Sequence, residues 1–316
     1  MRIGIALGAG GVVGASWIIG ALDALEARTG FRAADAATVL GTSSGSLIGA
    51  LAAAEVTTAA MAAHASGESH DELAGLAEID ATALRVARMP LPIGPGSMRL
   101  ALSGRNPAVR IAGLLPRGIV RTDAIRELVD RAIGDSWPTP RLRIVACDYS
   151  SGERVVFGGG GGGAVAASPG EAVAASCAIP AFYEPVRIGE RRYVDGGVHS
   201  HSNLDLLLDG GLDTVICLNP MSSPAWVSGG GVRERIIAAR RRRSAATLER
   251  EVALLRAAGT RVLVLEPAFA DLAAMGTNMM ARDRRAEVIA AARASTERTL
   301  RRIGRRRLGL VGLTVA

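Results

Sequence analysis

Gly41-Thr42-Ser43-Ser44-Gly45 follows the apolar segment 37–40 and precedes the apolar segment 47–52. This order predicts a strand, a tight turn and a helix, which is the context of a nucleophile elbow. The flanking glycines permit the turn, and the turn exposes the Ser43 hydroxyl at a helix N-terminus, where developing negative charge is favoured. An ordinary Gly/Ser loop is the alternative interpretation of the five residues alone.

A second glycine-rich turn, residues 8–14, follows the first apolar strand, residues 3–7. Backbone N–H groups in such a turn, between a first strand and a first helix, can bind an anion. We interpret the turn as an oxyanion hole for Ser43, with the N–H groups of Gly10 and Gly11 as the expected donors.

A dinucleotide site is the competing interpretation of this turn. Its fingerprint requires glycine at positions i, i+2 and i+5. Counting from Gly8, the third position is Val13, and Gly14 comes one residue late. The second strand leads into the serine elbow, and it lacks the acidic residue that a dinucleotide site places there. The pattern therefore favours the oxyanion hole.

The carboxylate of Asp195, far along the chain, is the third feature. The run Ala174-Ala175-Ser176-Cys177-Ala178-Ile179-Pro180 leads into Tyr193-Val194-Asp195-Gly196-Gly197. An acid that ends a short apolar strand and precedes two glycines can present its carboxylate beside the elbow. The alternative is a plain turn, because Asp-Gly is a strong turn signal.

Taken together and in this order, the motifs resemble those of bacterial patatin-like phospholipases, which are serine acyl hydrolases with a Ser-Asp dyad. The resemblance covers most of the chain and is weakest over residues 55–135. It implies an α/β fold, a three-layer α/β/α sandwich with a mainly parallel central sheet. It also implies Ser43 as nucleophile, Asp195 as base, a lipid or other acyl ester as substrate, and neither cofactor nor metal.

Two residues depart from the family pattern. Val13 stands where the family usually has Arg or Lys, and Ala9 stands where it has the first glycine of the loop. The backbone donors survive both changes, but the positive charge does not. We therefore expect a preference for neutral or weakly charged substrates, unless an arginine from elsewhere in the chain replaces the charge.

A Ser-His-Asp hydrolase of the α/β-hydrolase fold is the closest alternative. Ser43, Asp195 and either His199 or His201 have its chain order. That fold places several strands before its nucleophile, however, whereas only one clear strand precedes the elbow strand here. We predict no catalytic histidine, and we expect His64 and His70 at the surface. A catalytically weak, lipid-binding member of the family stays open as a further alternative.

Length and composition limit the domain organisation and the kind of core. Its 316 residues allow one large domain or two small ones. Without a visible linker or repeat, we predict a single domain over residues 1–316. Aromatic residues make up only 3%, so the core must consist of Ala, Val, Leu and Ile. The three widely spaced cysteines show neither a metal pattern nor a disulfide framework and are expected to be buried thiols: Cys147, Cys177 and Cys217.

Strands and helices alternate along the chain, which predicts a parallel sheet covered on both faces. The glycine run Gly158–Gly163 is expected to form a mobile surface loop. Later strands are predicted at 141–147, 154–157, 214–218 and 261–265, and helices at 203–208, 232–258 and 283–302.

Charge is divided unevenly. From residue 233 to the end there are 19 Arg against 8 acidic residues, net +11, whereas the first 232 residues carry net −4. There are two basic clusters, Arg240–Arg243 and the set Arg301, Arg302 and Arg305–Arg307. Each is either a solvated helix face or a surface that contacts anionic membranes. We expect no nucleic-acid binding, because a recognised motif and an aromatic platform are lacking. Without a signal peptide or a long apolar run, we expect a cytoplasmic protein or a peripheral membrane protein.

Overall fold

The computed structural model describes residues 1–68, 94–103, 106–160, 165–223 and 231–314. Eight strands of these ranges form one mixed sheet. They are β1 (Ile3–Leu7), β2 (Thr38–Thr42), β3 (Leu142–Asp148), β4 (Arg154–Gly158), β5 (Val186–Ile188), β6 (Arg191–Asp195), β7 (Thr214–Leu218) and β8 (Arg261–Leu265).

The sheet has the order β5-β6-β3-β2-β1-β7-β8, and β4 pairs with β3 outside this path. From β3 to β8 every neighbouring pair is parallel, whereas β4 and β6 run antiparallel to β3, and β5 runs antiparallel to β6. The carboxyl ends of β1 and β2 therefore meet at one edge of the sheet, which is where ligand sites form in open α/β sheets.

Side chains of the central strands alternate between two apolar layers, as the period of a strand requires. In β1, Ile5 and Leu7 belong to the larger cluster on one face, and Ala6 belongs to a second cluster on the other face. Val39 and Leu40 of the neighbouring β2 divide in the same way. A strand that is buried on both faces needs helices on both sides.

The described helices supply these two outer layers. They are α1 (Gly11–Thr29), α2 (Ser44–Ala53), α3 (Thr58–Ser66), α4 (Met98–Ser103), α5 (Pro107–Leu114), α6 (Asp123–Ile133), α7 (Pro169–Ser176), α8 (Val232–Ala257), α9 (Phe269–Met275) and α10 (Arg285–Leu310). Short 3-10 helices lie at Ala33–Asp35, Gly196–Val198 and Leu204–Gly210. The prediction of a three-layer α/β/α sandwich with a mainly parallel sheet is confirmed.

Small residues allow the outer helices to approach each other closely. A Cβ on Gly20 of α1 would meet the backbone of Ile289 in α10, so these two helices touch backbone to backbone. The core is mainly aliphatic, but its largest fully buried side chains are aromatic, Trp17, Phe157 and Tyr193, which the composition did not predict. All three cysteines are buried free thiols, as expected. Among the described residues, no helix combines the length and the apolar character that crossing a membrane requires.

Strand predictions agree with the structure more closely than helix predictions. Strands β7 and β8 have the expected bounds, whereas the helix predicted at 203–208 is a 3-10 helix over Leu204–Gly210. The last helix continues past the expected end at residue 302 to Leu310, through a non-helical Gly304. Of the expected glycine loop, residues 161–163 lie outside the described residues.

Candidate active site

Ser43 sits on the turn between β2 and α2 in a strained backbone conformation. Its φ is 54°, a value that residues other than glycine rarely adopt. The backbone N–H of Ser43 donates to Ser176 Oγ at 2.8 Å, and that hydroxyl donates to the carbonyl oxygen of Val145 at 2.6 Å. These buried hydrogen bonds hold Ser43 in its strained conformation, because such a conformation persists only where the surrounding structure fixes it.

The two flanking glycines leave room for close backbone contact. A Cβ on Gly41 would collide with the backbone of Ser46, and a Cβ on Gly45 would collide with the carbonyl groups of Leu7 and Gly8. The first turn of α2 therefore rests directly on the end of β1. The elbow predicted from the sequence has the expected strand-turn-helix context.

Asp195 ends β6 beside the elbow. Ser43 Oγ donates to Asp195 Oδ2 at 2.6 Å, and the N–H of Gly197 donates to Asp195 Oδ1 at 2.7 Å. Each carboxylate oxygen thus has one donor, and the side chain is fixed in orientation. No imidazole stands between the hydroxyl and the carboxylate, because the two groups are in direct contact.

Burial controls the charge of this carboxyl group. Asp195 is 5% exposed, and loss of hydration raises its pKa to about 6. Hydrogen bonds from Ser43 and Gly197, and the positive charge of Arg240, lower the pKa again but offset only part of the burial effect. The carboxylate is therefore a stronger base than an exposed aspartate.

Gly10 and Gly11 lie on the other side of Ser43, at the start of α1. Gly11 has a φ of 64°, and a Cβ there would come within 2.7 Å of the Met279 carbonyl oxygen. The N–H group of the preceding residue, Ala9, is already hydrogen-bonded, because it donates to the His201 carbonyl oxygen at 2.9 Å. The N–H groups of Gly10 and Gly11 donate to no acceptor in the described part of the chain. Two free N–H groups at a helix N-terminus suit a developing oxyanion.

An apolar cavity of about 160 Å³ opens beside Ser43. Apolar side chains of α1, α2, α3 and α6 line it; those of the first three helices include Val12, Ile19, Leu47, Leu51 and Met61. Three arginines also line it: Arg121, Arg282 and Arg285. Apolar walls around a reactive hydroxyl are suited to a hydrocarbon chain.

A smaller pocket of about 60 Å³ lies on the Asp195 side of Ser43. Asp195, Gly10, Gly11, His201 and Arg240 are among the residues that line it. Ser43 and Gly11 also line the apolar cavity, so the two spaces adjoin at the hydroxyl.

Ser176 and Arg240 were not assigned to this site from the sequence, and His201 was named there only as a member of the alternative triad. Ser176 lies in the run 174–180, so the sequence contained a signal for it. His201 and Arg240 reach the small pocket only through tertiary packing, and nothing in the run of four arginines indicated which one faces the site. His64, expected at the surface, is half-buried and lines the apolar cavity, and His70 lies outside the described residues.

Val13, by contrast, takes no part in either pocket. Its side chain is 1% exposed within the main apolar cluster, and its N–H donates to the Met279 carbonyl oxygen.

In the part of the chain that the structure describes, no three His, Cys, Asp or Glu side chains form a group that could hold a metal ion.

The chain is similar to a known protein family and to solved structures. A family model described as patatin-like phospholipase matches residues 5–208. Among solved structures, VipD from Legionella pneumophila is 13% identical with a TM-score of 0.46, and the type III effector protein ExoU is 16% identical with a TM-score of 0.39. The alignments cover 94% and 95% of this chain but only 66% of VipD and 53% of ExoU.

The family match spans well over half of the chain and includes the glycine-rich loop, the elbow and Asp195. The chain belongs to the patatin-like phospholipase family.

Proposed function

We propose that this protein hydrolyses acyl esters of lipids, with Ser43 as nucleophile and Asp195 as its base. The observation that carries the proposal is the 2.6 Å hydrogen bond from Ser43 Oγ to Asp195 Oδ2. A nucleophile in direct contact with a buried base is the arrangement that covalent catalysis needs. The apolar cavity beside it supplies space for an acyl chain.

In the first half of the reaction, Ser43 Oγ attacks the ester carbonyl carbon while its proton passes to Asp195. The carbonyl oxygen becomes an oxyanion, which accepts hydrogen bonds from the N–H groups of Gly10 and Gly11. When the tetrahedral intermediate collapses, the bond to the leaving alcohol breaks. Asp195 returns the proton to that alcohol, and the acyl group stays on Ser43.

In the second half, a water molecule replaces the alcohol. It transfers a proton to Asp195 as its oxygen attacks the acyl carbon, and the same two N–H groups hold the second oxyanion. Cleavage of the bond to Ser43 Oγ releases the fatty acid, and the proton returns to the serine. The raised pKa of Asp195 supports these transfers, because a base with a pKa closer to neutrality accepts protons more readily.

The direct contact between Ser43 and Asp195 favours a dyad over the Ser-His-Asp alternative. His199 and His201 make no hydrogen bond to either residue in the described part of the chain. Burial lowers the pKa of both imidazoles, that of His201 to about 3, so they stay neutral near pH 7.

We further propose that residues 1–316 act as one acyl hydrolase domain. Strands β1 to β8 all belong to one sheet, and α10, the last described helix, packs on α1, the first. We expect the protein to work in the cytoplasm, with peripheral contact to anionic membranes through its C-terminal arginines.

The experiment is labelling with a fluorophosphonate, which forms a covalent bond with an activated serine. We expect the wild type to be labelled and Ser43→Ala to be unlabelled. The same variant should lose at least about a thousandfold in p-nitrophenyl butyrate hydrolysis. Ser44→Ala is the matched control, because it removes the neighbouring hydroxyl of the same elbow and should keep both properties.

Two results would contradict the proposal. Ester hydrolysis that survives in purified Ser43→Ala would show that another group is the nucleophile. A wild-type protein that is neither labelled nor active, yet binds lipid, would establish the catalytically weak alternative.

A further inference from the structure

The helix pair α4 and α5 carries large apolar side chains that contact solvent. Met98 and Leu102 are four residues apart, and Ile111 and Leu114 are three apart, so each pair lies on one face of its helix. Apolar patches of this kind on a protein surface mark sites of interaction with another molecule. The α4–α5 surface consists of five residues that are 39% to 75% exposed: Met98, Leu102, Ile111, Leu114 and Leu115.

The opposite faces of the two helices are buried. Leu100 of α4 and Val109 of α5 are inaccessible to solvent and pack in one cluster with Cys147, near the end of β3. A Cβ on Gly113 of α5 would collide with the backbone of Ala101 in α4, so the two helices are in close contact. The α4–α5 surface is therefore the outer face of a firmly packed pair of helices.

This pair of helices is attached beside the proposed active site. Asn106, the N-cap of α5, donates through Nδ2 to the carbonyl oxygen of His199 at 3.2 Å, four residues after Asp195. Val198 packs against the buried faces of the helices and also lines the small pocket next to Ser43 and Asp195. A layer that touches the α4–α5 surface therefore lies on the side of the molecule where an ester reaches Ser43.

Charge indicates what covers this surface. Residues 94–120 contain four arginines and neither Asp nor Glu, although the first 232 residues together carry net −4. Arg99, Arg110 and Arg117 are exposed. Apolar side chains combined with arginines are typical of helices that lie in the interface of an anionic membrane. A second copy of the chain fits less well, because a twofold contact would bring these like charges together.

We propose that the α4–α5 surface inserts into the interface of an anionic lipid bilayer and so holds Ser43 close to the lipid. The inference goes beyond the proposed function, because this surface takes no part in the ester chemistry and binds whether or not an ester is cleaved. It also differs from contact through the C-terminal arginines. Those lie near the amino ends of the strands, as the bond from Arg261 to the Leu310 carbonyl oxygen shows, so contact there leaves Ser43 on the far side.

The first experiment measures sedimentation with vesicles of equal parts phosphatidylcholine and phosphatidylglycerol. Every protein carries Ser43→Ala, so that the lipid is not consumed. Adding Leu102→Gln and Ile111→Gln should lower the partition coefficient at least about tenfold, because two apolar side chains no longer leave water. The difference should persist at about 0.5 M salt, where exposed charges are screened over a few ångströms. Unchanged binding of this variant would overturn the inference.

Leu254→Gln is the matched control. Leu254 is 50% exposed on α8, close to the end of that helix, which leads into the amino end of β8. The control should bind vesicles like the parent protein. Equal losses in the control and in the double variant would mean that any exposed leucine contributes, which would overturn the assignment to α4 and α5.

The anionic part of the proposal has its own variant. With Arg99→Gln and Arg117→Gln, binding to the mixed vesicles should fall at least about tenfold at low salt, since each arginine near an anionic surface contributes about fivefold. Binding to vesicles of phosphatidylcholine alone should change little. Equal losses on both kinds of vesicle would overturn the choice of an anionic surface.

A fluorescent label shows which face enters the lipid. The three native cysteines are buried, so Leu102→Cys supplies an exposed thiol for a nitrobenzoxadiazole label. Its emission should shift to shorter wavelength when vesicles are added, whereas the same label on Leu254→Cys should not respond. A protein that binds vesicles without a shift at position 102 docks through another face, and the inference fails.

Turnover separates this inference from the proposed function. With Ser43 intact, Leu102→Gln together with Ile111→Gln should lower kcat/KM for phosphatidylglycerol in vesicles at least about tenfold, in proportion to lost binding, and leave p-nitrophenyl butyrate hydrolysis unchanged. If vesicle binding depends on these two residues but the wild type cleaves no ester, the function fails and the docking surface stands. If esters are cleaved while binding ignores both residues, the docking surface fails and the function stands.

Analytical ultracentrifugation tests the other occupant. The wild type should have the same mass in solution as the variant with Leu102→Gln and Ile111→Gln. A wild-type dimer that dissociates in this variant would identify the α4–α5 surface as an interface between two copies of the chain and overturn the inference.

Discussion

At the scale of single residues, Asp195 shows how position in the fold changes ordinary chemistry. An exposed aspartate is a poor proton acceptor near neutral pH because its pKa is low. Burial at the end of β6 raises the pKa of Asp195 to about 6, while the Ser43 and Gly197 donors keep the carboxylate oriented.

The raised pKa predicts the pH dependence of hydrolysis. Asp195 must be deprotonated to accept the Ser43 proton, so kcat/KM for a neutral ester should fall as the pH drops through about 6. A pH profile of p-nitrophenyl butyrate hydrolysis measures this. A profile that stays flat down to pH 4.5, in protein that remains folded, would contradict the assignment of Asp195 as base.

Asp195→Asn should abolish turnover, while His199→Ala and His201→Ala should each change hydrolysis of the same soluble neutral ester by less than about fivefold, well below the cost of losing a general base.

The buried carboxyl group of Asp195 also lowers the stability of the fold near neutral pH. Folded Asp195 holds a proton that the unfolded chain releases, so the free energy of unfolding falls as the pH rises through about 6. Urea unfolding at pH 7.5 should therefore show Asp195→Asn more stable by roughly 1 to 3 kcal/mol.

A different pattern would identify a triad. If His199→Ala or His201→Ala lowers neutral-ester turnover as severely as Asp195→Asn, a histidine belongs to the catalytic group.

At the scale of secondary-structure elements, the elbow depends on how closely α2 approaches β1. Gly45 has no space for a side chain, because a Cβ would collide with the Leu7 carbonyl group. Gly45→Ala should therefore lower the free energy of unfolding by at least about 2 kcal/mol and lower ester hydrolysis as well, since Ser43 shifts with the helix.

The control for this change is Gly309→Ala in α10. Gly309 has open space around it and lies within a helix, so alanine there should leave stability unchanged or raise it slightly. Urea denaturation of both variants, with activity on a soluble ester, makes the comparison. Equal stability of the two variants would show that the contact between α2 and β1 is looser than the structure indicates.

At the scale of the whole molecule, the C-terminal arginine cluster and Ser43 lie at opposite ends of the strands. The guanidinium of Arg261, the first residue of β8, donates to the Leu310 carbonyl oxygen, so the end of α10 lies at the amino ends of the strands. Ser43 follows the carboxyl end of β2, at the opposite edge of the sheet. The C-terminal arginines can therefore attract a membrane without belonging to the active site.

We expect binding to vesicles to rise with their content of anionic lipid and to fall with salt, because ions screen exposed charges. Replacement of five exposed arginines by glutamine should weaken sedimentation with such vesicles: Arg301, Arg302, Arg305, Arg306 and Arg307. Hydrolysis of a soluble short-chain ester should stay nearly unchanged and serves as the control. Vesicle binding that is absent in the wild type, or unaffected by the replacement, would identify these arginines as solvated helix surface.

The sequence by itself determined the local parts of this protein. Apolar runs of five residues between turn signals predicted strands such as β1, β7 and β8, because strand formation depends on neighbouring residues and on burial of the whole segment. The glycine pattern around Ser43 predicted the elbow, since the turn's backbone requirements are local. The Asp-Gly-Gly pattern indicated a carboxylate at Asp195, 152 residues further along the chain, and the resemblance to the family gave that carboxylate the role of base.

Only the tertiary structure decided which side chains meet. The 2.6 Å contact between Ser43 and Asp195 depends on β6 joining the sheet beside β3, and the raised pKa of Asp195 depends on what then covers it. Arg240 and Arg241 are adjacent in the sequence, yet Arg240 lines the small pocket beside Asp195, whereas Arg241 donates to the Pro220 carbonyl oxygen. The rotation of α8 about its own axis decides which arginine faces the pocket, and that rotation depends on tertiary packing, which no local pattern encodes.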